Sequence, residues 1–126
     1  MGRIALVVVV LAGAGLVGSG QASSSYDGVY RGEATRTRGD DTQCGTARYP
    51  VTYTVVNGQF SIVYDPTRHV GVNLQIQPDG TFSGSQSYII GRQTAMVKAS
   101  GRIAGNVMEA QVEGYACARS YRLTKG

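Results

Sequence analysis

The chain contains one histidine, His69, set in the turn-rich run Asp65-Pro66-Thr67-Arg68-His69. A general base there needs a nucleophile and an orienting carboxylate close in space. Asp65 could orient it, but no Gly-x-Ser-x-Gly elbow marks a nucleophile. His69 therefore reads as a solvated loop residue. Asp40 and Asp41 precede Cys44 and offer two carboxylates beside Thr42. Calcium wants six to eight oxygens, so this segment reads as a polar loop. Glu109 and Glu113 share one face of a strand, about 13 Å apart at 3.3 Å per residue. A glycosidase pair needs about 5–10 Å, so they read as solubilising charges opposite Lys98 and Arg102. No catalytic set, no metal site and no cofactor motif emerges, and the chain is expected not to be an enzyme.

Cys44 and Cys117 are the two cysteines. Two thiols and one imidazole are too few for a closed zinc shell. Their setting is decided by the N-terminus. Arg3 is followed by the apolar run Ile4 to Ala12 and then by small residues ending Gly20-Gln21-Ala22. A positive start, a short apolar stretch and small residues before a cut make a secretory signal peptide over residues 1–22. The apolar run is short for a spanning helix, and four glycines weaken its continuation. A membrane is expected to be met only through an uncleaved leader. Export puts the cysteines in an oxidising compartment, periplasmic or extracellular, where they have only each other to pair with. Closing so long a loop is worth about 4 kcal/mol in the chain-entropy model.

The eight tyrosines are the other residues to watch, in a chain with two phenylalanines and no tryptophan. An apolar ring with a polar tip suits both a small core and a binding surface. Tyr30, Tyr53, Tyr64 and Tyr121 have core parity. Tyr88 leads into Ile89, Ile90 and Arg92; exposed, these four form an interaction patch, and buried they cap the core.

Nearly all of residues 23–126 alternates with period two, as a half-buried strand requires. Val70, Val72, Leu74 and Ile76 face one way, with Gly71, Asn73, Gln75 and Gln77 opposite. Val51, Tyr53 and Val55 lead into Asn57-Gly58, a strong hairpin signal, and Phe60, Ile62 and Tyr64 follow. Pro78-Asp79-Gly80 and Gly105-Asn106 mark further turns. Eight strands with no helical period predict one all-β domain, an antiparallel eight-stranded small barrel, with a β-sandwich as the alternative. Gly32, Gly84 and Gly101 at core parity would ease the bends of closure.

Several of these features occur together: the Asp27-Gly28-Val29-Tyr30-Arg31-Gly32 entry, Cys44, Asn57-Gly58, Ile76-x-x-Asp79-Gly80, and Cys117 before Tyr121-Arg122-Leu123. In this the chain resembles small exported proteobacterial β-domains. The resemblance implies a signal peptide and one disulfide, and no activity. A second likeness is to the calycin barrels, the lipocalins and avidins. These open on Gly-x-Trp and pack a late basic side chain over that ring. Gly28-Val29-Tyr30 and Arg119 occupy those places, which implies a cation–π pair of Tyr30 with Arg119; the tryptophan is missing.

The formal charge is +4, and losing Arg3 with the leader trims it by one. The basic residues are scattered, which argues against a nucleic-acid partner. The expected function is a non-catalytic binding or interaction module whose partner is a protein or a cell-envelope component. Eight short strands leave little interior, which favours binding through loops. An open apolar cavity of a few hundred Å³ would favour a small-ligand carrier instead. Inhibition of an exported hydrolase such as lysozyme is a further alternative, although lysozymes are themselves typically basic.

Overall fold

The structure, a computed structural model, describes residues 23–65 and 69–126. The leader assigned to residues 1–22 lies outside the described residues, as do Pro66, Thr67 and Arg68. Eight strands follow a short 3-10 turn at Ser24–Tyr26: β1 (Gly28–Arg38), β2 (Arg48–Val55), β3 (Gln59–Asp65), β4 (Val70–Gln75), β5 (Thr81–Ile90), β6 (Gln93–Ala104), β7 (Val107–Glu113) and β8 (Ala118–Lys125). A single helical turn, α1 (Asp41–Cys44), interrupts them between β1 and β2. Asp40 caps it by accepting from the Gln43 amide at 2.9 Å.

All pairings are antiparallel. Six strands form a curled sheet in the order β2-β1-β8-β7-β6-β5, half of a barrel, and β3 and β4 form a second small sheet. The alternation in sequence becomes alternation in burial. Val70, Val72, Leu74 and Ile76 point into the core, as do Val97, Ala99, Ile103, Met108, Ala110 and Val112 from the facing sheet. Rings bridge the two layers. Phe60 of β3 meets Phe82 of β5 edge-on at 5.1 Å, and Tyr53 lies 5.9 Å from Phe60 and 6.0 Å from Tyr121. Such pairs add to simple area burial.

The two seams between the sheets differ. At the β4–β5 seam, Gly84 lets the strands approach closely. A Cβ there would lie 3.0 Å from the Asn73 carbonyl oxygen and 3.1 Å from Val72 Cγ1. The Gly71 amide donates to Gln86 Oε1 at 3.2 Å across this seam. At the β2–β3 seam the hairpin turns tightly and its arms then part. Asn57 and Gly58 both take positive φ, 54° and 72°, as a type I′ turn demands. The Asp27 carboxylate accepts from both of their amides at 2.8 Å. Beyond one bridge between Val56 and Gln59, β2 pairs with β1 and β3 with β4. Pro50, lacking an N–H, suits the edge position that β2 occupies.

The disulfide joins Cys44 to Cys117 with Cα atoms 5.7 Å apart. It ties the loop after β1 to the start of β8. The outward charges stand opposite one another as their parity implies. Arg102 stands opposite Glu109 and Lys98 opposite Glu113 in register, while Glu109 also bridges to Arg122.

Candidate functional site

Where β2 and β3 part, they leave an open cleft of about 900 Å³. One wall is β2, from Tyr49 to Tyr53, and the other is the end of β3, from Val63 to Asp65. Residues 42–46 and 115–117, joined by the disulfide, close one end, and Tyr88 and Ile90 of β5 contribute the far side. Five of the eight tyrosines line it: Tyr49, Tyr53, Tyr64, Tyr88 and Tyr115. Parity explains the concentration. Tyr49, Val51 and Tyr53 share a face of β2, and Ile62 and Tyr64 share one of β3, so parting the arms turns rings from both into one space.

Arg119 forms part of the lining and is 8% exposed. It points inward with Tyr121 and Leu123. The irregularity in the β1–β8 ladder falls between Arg36 and Arg38 on the opposite strand, so the inward parity of β8 survives it. The guanidinium lies 5.7 Å from the Tyr49 ring centroid and 5.5 Å from that of Tyr64. Each such contact contributes about 0.5–2 kcal/mol. Nη2 donates to the Cys44 carbonyl, and Nη1 donates to the Tyr64 carbonyl at 3.3 Å. Arg119 thereby links the disulfide loop and the end of β3 to β8. Its Nε–H is buried without a hydrogen-bond partner, an arrangement that costs on the order of 1–3 kcal/mol.

The expected pair of Tyr30 with Arg119 is not formed. Tyr30 stands opposite Lys125 in the β1–β8 register, whereas Arg119 stands opposite Arg36. Six positions separate the two sites, about 20 Å along an extended strand. The cation near the Tyr30 ring is Lys125, with Nζ 6.0 Å from the centroid. The signal that could have found the true partners was Tyr49 and Tyr64 at core parity on the two arms of one hairpin.

The patch proposed around Tyr88 is divided. The β5 strand runs on to Ile90 before turning at Gly91. Tyr88 is buried, and its hydroxyl accepts from the Tyr115 amide at 3.2 Å. Ile90 is half-buried in the cleft, while Ile89 is 64% exposed on the other face and Arg92 is exposed in the turn. His69 is exposed with φ 56° and does not line the cleft. Asp40 is spent on its helical cap and Asp41 pairs with Arg36. No group of three or more metal-ligating side chains occurs among the described residues.

Two tyrosines of the cleft, Tyr53 and Tyr64, are held in their neutral form. Burial, then the nearby Tyr49, pushes Tyr53 up to about 12. Burial, then Tyr88, pushes Tyr64 up to about 12. Burial, then Tyr53, also raises Tyr121 behind them. An unfolded tyrosine ionises near 10.0. Above that pH the unfolded chain releases protons that the folded chain keeps, so stability is complete below pH 10 and falls as pH rises toward 12. Alkaline titration is expected to give a tyrosinate absorbance curve with a delayed component that coincides with loss of the β-sheet circular dichroism signal. A single component at the ordinary tyrosine value, with the sheet intact, would contradict this.

Comparison with known proteins finds no matching family model, no matching curated protein and no matching solved structure. The site's meaning therefore rests on its own geometry: a small all-β domain with one disulfide, carrying a tyrosine-lined cleft with a buried arginine in its wall.

Proposed function

We propose that the protein is a non-catalytic binding module, exported to the periplasm or beyond, that holds a small amphipathic molecule in the cleft between β2 and β3. The observation that carries this reading is the cleft. At about 900 Å³ it falls in the range of small-molecule sites, which combine apolar and aromatic walls with a few polar groups. A cavity of this size favours ligand carriage over loop-mediated partner binding. The lining supplies rings, hydroxyls, one guanidinium and one carboxylate, Asp65, a set suited to holding a molecule rather than transforming it. The disulfide is compatible with an oxidising compartment. We group the chain with small exported proteobacterial β-domains on its spaced turns and paired cysteines. Calycin kinship is weakened because Arg119 stacks on Tyr49 and Tyr64 rather than on the opening strand's Tyr30.

The test is titration of the full chain, as recovered from an exporting host, with the neutral fluorescent probe N-phenyl-1-naphthylamine. The expected result is saturable enhancement at one site per chain. No enhancement, or enhancement that does not saturate, would overturn the reading.

A further inference from the structure

We infer that the ligand's polar end is a carboxylate and that Arg119 is the group that receives it. This rests on the cleft being a small-molecule site. A guanidinium has five N–H donors, and Arg119 uses two of them on the carbonyls of Cys44 and Tyr64. The Nε–H is among those left, buried and unpartnered. Four other arginines pair with acids: Arg38 with Glu113, Arg48 with Glu33 and Arg122 with Glu109 on the exposed surface, and the half-buried Arg36 with the exposed Asp41. Arg119, the most buried of the five, forms no ion pair among the described residues.

A planar guanidinium edge is the preferred partner of a carboxylate, because two parallel charge-assisted bonds can form. The neighbouring groups suit an anion with an apolar body. The raised tyrosines stay protonated and can act as hydrogen-bond donors. Tyr49, Val51, Val63 and Ile90 supply apolar surface along the cleft. Asp65, the carboxylate in the lining, has an interaction of its own. The rings of Tyr49 and Tyr64 that flank the guanidinium are both half-buried. A carboxylate would reach Nε as one of these rings turns aside.

Calorimetric titration of the full chain with 2-naphthaleneacetate and with 2-naphthaleneacetamide separates charge from shape. The acid is expected to bind at least about tenfold more tightly than the amide, with acetate alone far weaker than the acid. Arg119→Gln is expected to bring acid and amide within about twofold of each other. Because that variant can also loosen the disulfide loop, the wild-type Arg119 Nε–H resonance gives a second readout. It should move on addition of the acid and stay in place with the amide. Equal binding of acid and amide, binding of neither, or acid binding with an unmoved Nε–H resonance would each overturn the inference. If the neutral fluorescent probe still saturates one site in that event, the cleft remains a ligand site and only its anion preference is lost.

Discussion

Replacing both Cys44 and Cys117 with serine is expected to lower stability by about 4 kcal/mol. The bond closes a loop spanning 73 positions, so its removal restores much conformational freedom to the unfolded chain. The folded chain loses by the same change. Cys44 ends α1, its carbonyl accepts from Arg119, and both cysteines border the cleft. Freeing that loop should weaken probe binding as well as stability. Urea unfolding followed by circular dichroism measures the first effect, and the fluorescence titration the second. An unchanged midpoint in the double-serine protein would show that the core alone fixes the loop.

Gly32→Ala should cost about 3 kcal/mol, at the upper end for overpacking. Gly32 pairs with Val51 on one side and Leu123 on the other, in the middle of three adjacent strands. A Cβ there would overlap the Arg122 carbonyl oxygen and come within 2.7 Å of Leu123 Cα. Those are backbone atoms, so relief requires the β1–β8 ladder to shift rather than a side chain to rotate. Gly84→Ala makes the contrast. Its nearest atom would be 3.0 Å away, and two of the three neighbours are side-chain carbons. Chemical denaturation of the two variants should rank Gly32→Ala well below Gly84→Ala in stability. A loss at Gly32 under about 1 kcal/mol would mean that the curl of the sheet does not depend on this close approach.

These two results probe what was legible in the sequence. Strict alternation from Val70 to Ile76 set both the strand and its buried face, because one buried face leaves little choice of register. Asn57-Gly58 marked its turn because both positions need left-handed backbone. The glycines at core parity, expected to ease the bends of closure, stand where neighbouring strands approach closely. The site was legible only in pieces. Arg119 could be assigned to the interior by parity, but its partners depended on which end of β1 it faces, and that is fixed by the β1–β8 register. Tyr30 and Arg119 sit on neighbouring strands and still never meet. The cleft itself had no local signature. Asn57-Gly58 announces a hairpin, and it does not announce that the two arms will choose different sheets. That choice reflects long-range competition: β1 takes β2, β4 takes β3, and the space between is left to tyrosine rings.

The most direct test of the central claim uses the full chain with its tyrosine rings isotopically labelled, followed by NMR during titration with the neutral naphthylamine probe. The account predicts that the ring signals of Tyr49, Tyr53, Tyr64, Tyr88 and Tyr115 shift together and saturate at one probe per chain, while Tyr26 and Tyr30 stay fixed. Saturation that leaves the cleft tyrosines unmoved, or shifts confined to Tyr26 and Tyr30, would contradict it.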